Sequence, residues 1–486
     1  MIFSRRAVIL GAASVVVAPD VSWAARALTA ASSWALATAD VEADLAPRAL
    51  RLVRGRAPAG LAGSLYRNGP AKFRRPGRSA SHWFDGDGLI RRFRIADGRA
   101  TLAARFADTP KRRLEERLGA MVMPGFGTRA DPRAEVTSPD DANAANTSVL
   151  PVGDKVWALW ENGSPLAMDG ATLQSEGFVT LRPDLKAMPF SAHPRIEPDG
   201  RIWNLGINGA RAMVWRLSSA GALEAAEMID LPRASYLHDF TATARHLVIV
   251  LQPWVHDRRV LPLSAGYSWR PETGTQVLII DKDDLSKRRI VELPPFGFFH
   301  LGDAWEEADG TIRFDVCAYS DMRFAATGAS DVLDGRYDGG GSSQMMLAAL
   351  PLSGPGRLER AGAGAAEFPK SDVRRAGLPR RFSVHTSGDT PGRPMATGVG
   401  VTDWRSGRTR TFDFGSDHIA DEMVPVPKPG SSAEDQAWLI GPTINLRAGV
   451  TELHIFDMAR VDDGPVATWA ADIALPASFH GRWKSA

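Results

Sequence analysis

Cysteine is nearly absent from this sequence of 486 residues, which contains only Cys317. An intrachain disulfide is therefore excluded, and the alternating apolar run from Thr311 to Tyr319 predicts a buried core thiol. An excess of one charge is also missing, because 58 Lys and Arg stand against 56 Asp and Glu. Since no basic stripe is interleaved with aromatic residues, the sequence argues against a nucleic-acid partner.

Several functional signatures are missing as well. No G-x-S-x-G elbow of serine hydrolases occurs, and no glycine-rich phosphate loop opens a predicted helix. Beyond the N-terminus, no segment is apolar enough to cross a membrane. These absences argue against a serine hydrolase, a phosphate-loop nucleotide enzyme and an integral membrane protein.

The N-terminus reads as an export signal. Ser4-Arg5-Arg6 precedes a run of apolar and small residues, Ala7 to Ala18, and Ser22-Trp23-Ala24 forms a small-x-small cleavage site. The paired arginines predict the twin-arginine route and a periplasmic location; an ordinary Sec signal or a retained anchor is the alternative. We therefore expect a signal peptide over residues 1–24, an Ala-rich linker over 25–45 and one body over 46–486.

Beyond residue 50 the pattern predicts an all-β protein. Short runs rich in Val, Ile, Leu and Trp, such as Lys155–Trp160 and His246–Leu251, are separated by Gly, Asp and Pro turns. Single cores stop growing near ~250–300 residues, so a chain without a visible domain break requires repetition. We predict a β-propeller in which a last strand pairs with an early one to close the ring. Two or three tandem β-sandwiches are the rival architecture.

Four of the ten histidines share one setting, at the start or end of a predicted strand among apolar residues. They are His193, His238, His300 and His480. The gaps between them of 45, 62 and 180 residues exclude a local zinc finger or a helical H-E-x-x-H site. The gaps suit separate blades that each aim one imidazole at a central axis, where the four would hold one metal ion. Imidazole suits Zn, Cu, Fe and Ni, so ligand type alone leaves the metal open.

At these residues the chain resembles the carotenoid cleavage oxygenase family, which includes apocarotenoid and lignostilbene dioxygenases and the vertebrate retinoid isomerase. The resemblance covers about residues 50 to 486 and depends on an ordered set of motifs. Besides the four histidine contexts, these are Tyr66-Arg67-Asn68-Gly69-Pro70, His82-Trp83-Phe84-Asp85-Gly86-Asp87-Gly88, Asn146-Thr147, Leu159-Trp160-Glu161-Asn162-Gly163, Glu367-Phe368-Pro369 and Asp421-Glu422-Met423-Val424-Pro425-Val426-Pro427. The resemblance implies a seven-bladed β-propeller capped by loops and short helices, with Fe(II) on its axis.

The resemblance also implies roles for residues around the iron. Glu161, Glu367 and Glu422 match family positions that accept hydrogen bonds from the outer nitrogens of iron-bound histidines. Carboxylates there offset the charge of a buried cation held by neutral ligands, and they fix the imidazole tautomers. Thr147 matches a family position close to the iron, where a methyl group restricts one coordination site.

The implied function is that of a non-heme Fe(II) dioxygenase that cleaves a carbon–carbon double bond with O₂ into two carbonyl products. An apocarotenoid is the expected substrate. Stilbenoid-cleaving members use a lysine shortly before the Asn-Thr motif, whereas no lysine occurs here between Lys111 and Lys155. Stilbenoid cleavage is the alternative, and a non-catalytic propeller that binds an apolar ligand is a third reading.

Apolar residues near the histidines predict a substrate tunnel. Phe299 and Phe479 flank two of the histidines, and Met123 and Phe126 lie in a loop after a short amphipathic helix. Ordinary core packing is the alternative for each. The same loop predicts a peripheral contact with a membrane surface, where apolar substrates partition. We otherwise expect a monomer whose partners are the apolar conjugated substrate and O₂.

Overall fold

The computed structural model of the protein describes residues 34–339, 341–388 and 392–486. The signal peptide predicted over residues 1–24 lies outside these ranges and stays a prediction. The linker prediction is wrong for residues 34–45, because this stretch packs on the body. Ala35–Thr38 forms a 3-10 turn, and the indole Nε1 of buried Trp34 donates to the Val332 carbonyl at 3.0 Å.

Antiparallel strands form seven blades, each with one edge toward a common axis. Blade 1 consists of Leu45–Ala49, Arg99–Phe106, Leu89–Ala96, Gly63–Asn68 and His480–Ser485, from the outer to the inner edge. From the inner edge outward, blade 2 consists of Ser148–Val152, Lys155–Leu159, Leu166–Asp169 and Ser175–Phe178, and blade 3 of Arg195–Ile196, Ile202–Asn208, Arg211–Leu217 and Leu223–Asp230. Blade 4 likewise consists of Thr241–Ala242, His246–Leu251, Thr275–Asp281 and Arg288–Leu293.

Blades 5 and 6 share one long strand. Blade 5 consists of Gly297–Glu306, Ile312–Tyr319, Gln344–Leu350 and the first part of Arg357–Lys370, whose last part begins blade 6 with Phe382–Ser387, Gly398–Asp403 and Arg408–Asp413. Blade 7 consists of His418–Ala420 and Val424–Pro427 on the inner edge, then Ala437–Asn445, Val450–Asp457, Ala467–Ala470 and Arg51–Gly55. The predicted seven-bladed propeller is confirmed, and the rival of tandem sandwiches is rejected.

Helices are few and short in the described part of the chain. Its α-helices are Pro110–Leu118 and Ala329–Leu333, the latter preceded by a π-helical turn at Phe324–Gly328. The other 3-10 turns are Trp83–Asp85, Pro139–Ala142, Pro183–Leu185, Leu263–Gly266, Pro271–Thr273, Val373–Arg375 and Met458–Asp463, and a hairpin of Trp254–His256 with Tyr267–Trp269 stands outside the blades. No helix within the described ranges is both long and apolar enough to cross a membrane.

Two strand pairings close the ring, one from each end of the described chain. His480–Ser485 pairs with Gly63–Asn68 to complete the inner edge of blade 1, as predicted. Arg51–Gly55 pairs with Ala467–Ala470 on the outer edge of blade 7. Blades 1 and 7 are therefore tied to each other by segments more than 400 residues apart, and neither blade is complete without both ends.

The hydrophobic core lies in the seams between neighbouring blades. Alternate residues of each strand point into a seam, which explains the period-two pattern of the sequence. The largest cluster joins blade 1, through Leu65 and Phe93, to blade 7, through Ile455 and Trp469. Cys317 is fully buried between blades 5 and 6, so the prediction of a core thiol is confirmed.

A buried aspartate fixes the cap loop that follows the first helix. That helix, Pro110–Leu118, begins after Thr109, whose hydroxyl accepts from the Arg112 amide, and ends at Gly119 in the left-handed region. The Asp85 carboxylate then accepts the backbone amides of Phe126, Gly127 and Thr128 at 2.6, 3.0 and 2.8 Å. The Asp85-to-Gly88 motif is thus a structural element that holds the cap over the axis.

The seam between blades 1 and 7 can be tested by a cavity mutation. Leu65 is fully buried there, so Leu65→Ala should lower the free energy of unfolding by about 2–5 kcal/mol. Leu352 is 66% exposed, and Leu352→Ala should change it by less than about 0.5 kcal/mol. Denaturant midpoints followed by tryptophan fluorescence measure both. Equal midpoints for the two variants would contradict a seam core that closes the ring.

Candidate metal centre

The propeller topology brings the four predicted histidines to the axis. His193 and His238 lie just before the inner strands of blades 3 and 4, Arg195–Ile196 and Thr241–Ala242. His300 lies within the inner strand of blade 5, and His480 begins the inner strand of blade 1. Because inner strands of different blades face one another across the axis, residues far apart in sequence become neighbours.

The four imidazoles meet through one nitrogen each. The Nε2 atom of His238 lies 3.0 Å from that of His193 and 3.2 Å from that of His300. The Nε2 atoms of His300 and His480 are 3.1 Å apart. All four ligand atoms lie within 4.8 Å of one another, and three of the four residues are buried. The structure therefore places the whole predicted set at one point.

Three glutamates hold the outer nitrogens of three of these rings. The Nδ1 atom of His238 contacts Glu161, that of His300 lies 2.5 Å from Glu367 Oε2, and that of His480 lies 3.0 Å from Glu422 Oε1. A carboxylate at Nδ1 makes that nitrogen the donor, so the proton of each neutral ring is outward and the Nε2 lone pair points inward. These are the three glutamates named from the sequence.

Nε2 atoms grouped this closely form a candidate site for a cation. In their neutral forms His238, His300 and His480 carry the proton on Nδ1, so each offers an Nε2 lone pair to a metal. Metal–imidazole bonds are about 2.1 Å long, so neighbouring ligands at right angles are about 3.0 Å apart and tetrahedral ligands about 3.4 Å. The observed separations of 3.0–3.2 Å fall in the range that a single ion would require of neighbouring nitrogen ligands.

Burial and charge set the protonation of the centre. Burial, reinforced by the neighbouring imidazoles, holds the pKa of His193 well below its usual range. Burial also holds the pKa of His480 well below that range, although Glu422 opposes it. Burial alone would lower the pKa of His238, but the Glu161 carboxylate more than offsets it and the pKa is raised. Two of the rings are thus unprotonated at neutral pH, as metal ligation requires.

A cavity of about 1250 Å³ opens onto the histidines. Phe126, Phe299 and Phe479 line it, together with Thr147, and His238, His300 and His480 lie at its base. Met123, which was also predicted to line the tunnel, is not among the residues that line the cavity, and it is buried in a cluster with Val122 and Ala142. Its amide donates to Glu115 at 2.8 Å.

Comparison with known proteins identifies the fold family. A profile of the retinal pigment epithelial membrane protein family matches residues 38–485. The chain belongs to this family. The resemblance drawn from the motifs is thereby confirmed, and it extends over nearly all of the described chain.

Relatives and solved structures agree over the same length. Apocarotenoid-15,15'-oxygenase of Synechocystis is 28% identical over 89% of this chain and 92% of its own. Lignostilbene-alpha,beta-dioxygenase isozyme III of Sphingomonas paucimobilis is 26% identical over 89% of this chain and 93% of its own. The crystal structure of a Glu-to-Gln mutant of the Synechocystis apocarotenoid oxygenase has a TM-score of 0.85 at 24% identity, and covers 93% of this chain and 98% of that one. That structure has the same fold.

Two cations beside the centre were missed in the sequence. Arg67 Nη1 lies 2.6 Å from Glu422 Oε2, and Lys370 Nζ lies 2.9 Å from Glu422 Oε1. Burial would raise the pKa of Glu422, but Lys370, His480 and Arg67 hold it well below its usual range. Arg67 lies in the recognised motif Tyr66-Arg67-Asn68-Gly69-Pro70, so its position in that motif could have indicated a role near the centre.

Lys370 could not be found from strand periodicity. In a regular strand, positions three apart point to opposite faces, which would turn Lys370 away from Glu367. A β-bulge between Glu367 and Lys370 changes that register, and Phe368 within it has φ of 56°. The Phe368 ring then stacks on His300 with a centroid distance of 4.8 Å. The bulge thus aims Glu367, Phe368 and Lys370 at the centre together.

The Arg67–Glu422 pair predicts a large contrast with surface pairs. Both side chains are fully buried, so Arg67→Met should lower the free energy of unfolding by about 3–5 kcal/mol, because it leaves a buried carboxylate short of a partner. The exposed pair of Arg48 and Asp472 provides the control, and Arg48→Met should cost less than about 1 kcal/mol. Urea midpoints of the two variants measure this. Similar small losses would mean that the buried pair is not needed.

Proposed function

We propose that the protein is a non-heme Fe(II) dioxygenase that cleaves a carbon–carbon double bond of an apolar conjugated substrate with O₂. Both oxygen atoms enter the products, since one alkene and one O₂ give two carbonyl compounds. The observation that carries the proposal is the convergence of four imidazole Nε2 atoms at the base of an aromatic-lined cavity. The two relatives named above are an apocarotenoid oxygenase and a lignostilbene dioxygenase, which is in keeping with this reaction class.

Iron is the metal we propose for His193, His238, His300 and His480. Zinc sites more often use three ligands and a water, or include cysteine, whereas here the four converging groups are all imidazoles. When bound, the iron would supply the binding and activation of O₂. Glu161, Glu367 and Glu422 would offset its charge from one shell out and leave its open positions free.

The protein's own residues then have three tasks. The imidazoles and their carboxylates hold the centre rigid, because each of the three carboxylate-bound rings is fixed at both nitrogens. Phe299 and Phe479 flank the centre on the cavity side, where they exclude water and orient a flat polyene by edge-to-face contact. No general acid or base is needed, since the overall cleavage neither gains nor loses a proton. We place Thr147, which lines the same cavity, beside one open position of the metal.

An apocarotenoid is the substrate we propose, with a stilbenoid as the second candidate. Lys111, the nearest lysine before the Asn-Thr motif, cannot bind a phenol because Asp87 and Glu115 hold its ammonium at 2.8 and 2.7 Å. One observation favours the second candidate: Lys186 lines the cavity from a different segment. A lysine there could take the role of phenol partner that the motif position lacks.

Metal content tests the ligand assignment directly. His300→Ala, His238→Ala or His480→Ala should each lose bound iron and turnover together, because removal of one ligand leaves three imidazoles and an incomplete shell. His246 begins the second strand of blade 4 and pairs with Glu306, so His246→Ala should retain both iron and turnover. Elemental analysis of the purified proteins and O₂ uptake provide the two readouts. A histidine variant with full iron and full turnover would overturn the assignment of that histidine. A parent protein that binds iron but shows no turnover would favour a non-catalytic propeller.

Substrate class is tested by a matched pair of alkenes. An apocarotenal and resveratrol are offered under ¹⁸O₂, and the products are weighed by mass spectrometry. We expect the apocarotenal to give two carbonyl products, each with one ¹⁸O, and a turnover that Lys186→Met leaves unchanged. If resveratrol is cleaved instead and Lys186→Met abolishes that cleavage, the stilbenoid candidate replaces the first.

A further inference from the structure

The three carboxylates around the centre differ in what else they bind. Glu367 accepts from neutral donors only, the Tyr319 hydroxyl at 2.7 Å and the Phe368 amide at 2.8 Å, besides His300. Within the described ranges no lysine or arginine pairs with Glu367 or with Glu161. Glu422 is different, because it binds two cations as well as its histidine.

The contacts of Glu422 divide between its two oxygens. Oε2 accepts from Arg67 Nη1 at 2.6 Å and from the Gly481 amide at 2.7 Å. Oε1 accepts from His480 Nδ1 at 3.0 Å and forms an ion pair with Lys370 Nζ at 2.9 Å. The ammonium of Lys370 and the imidazole of His480 therefore share a single oxygen atom. Arg67 anchors the carboxylate through Oε2. Lys370 competes with the N–H of His480 for the negative charge on Oε1.

We propose that Lys370 is a positioning residue that weakens Glu422 as the hydrogen-bond acceptor of His480 and so holds the proposed metal in its divalent state. A carboxylate that accepts a hydrogen bond from an imidazole makes the ring a stronger electron donor to a metal. A cation on the same oxygen reduces that effect for His480. The carboxylates that partner His238 and His300 have no such cation. The inference depends on the proposed iron centre for its setting and on the Glu422 contacts for its content.

Charge balance gives the direction of the effect. Removal of Lys370 takes one positive charge away from the surroundings of the ion, which favours a trivalent ion over a divalent one. Because Arg67 remains, Glu422 stays ionised and its contact with His480 is retained. Iron in such a variant should bind more tightly and oxidise more readily.

The test compares Lys370→Met with two matched variants in the metal-loaded protein. Lys370→Arg keeps the charge and should behave as the parent. Lys428 makes a similar pair, 2.9 Å from Asp457 Oδ1 in blade 7, so Lys428→Met controls for the loss of one partly buried lysine. Loss of cobalt(II) to excess chelator measures retention, and the growth of the ferric EPR signal in air measures oxidation. We expect Lys370→Met to lose metal roughly tenfold more slowly and to oxidise faster, while the other two match the parent.

A double-mutant cycle isolates the shared oxygen. If Lys370 acts mainly through Glu422, Lys370→Met should change both rates much less when Glu422→Gln is already present than it does in the parent. Unchanged retention and oxidation in Lys370→Met, with metal bound in the parent, would overturn the inference and leave the proposed function intact. A parent protein that binds no transition metal at all would instead overturn the proposed function. Slower oxidation in Lys370→Met would also overturn the inference, because the charge of Lys370 would then favour the trivalent ion.

Discussion

The convergence of four imidazole Nε2 atoms on one point is the constraint on which the centre of this protein depends. Carboxylates direct the Nδ1 protons of three rings outward, so those rings present Nε2 to the axis. Further charges surround the rings in shells, because three carboxylates contact the rings and Arg67 and Lys370 partner the most deeply buried of these carboxylates. The proposed cation would complete the innermost shell.

The ring architecture distributes this cluster evenly. Blades 1, 3, 4 and 5 each contribute one histidine, and blades 2, 6 and 7 each contribute one glutamate, with Glu161 directly after a strand of blade 2. Glu367 and Glu422 come from blades next to those of the histidines they bind, blades 5 and 1. Since every blade supplies one group, the seams between blades fix the distances between groups. The packing in the seams therefore determines the geometry of the centre.

Much of this arrangement could be predicted from the sequence, and the failures have physical causes. The four histidines and three glutamates lie in short motifs that are recognisable one at a time, and the topology then brings them together. Lys370 was missed because a β-bulge overrides the period of two. Met123 was predicted to line the tunnel because apolar character alone cannot distinguish a side chain buried in the core from one that faces a cavity. Residues 34–45 were taken for a linker because Ala-rich sequence has little periodicity, although Trp34 anchors them.

The pairing of His480–Ser485 with Gly63–Asn68 also sets an order of events during biosynthesis. His480 is translated 180 residues after its neighbour His300, so a growing chain exposes three of the imidazoles well before the fourth. The strand that closes the ring is the same strand that completes the coordination shell. A chain stopped before residue 480 therefore lacks both the closing strand and the fourth imidazole.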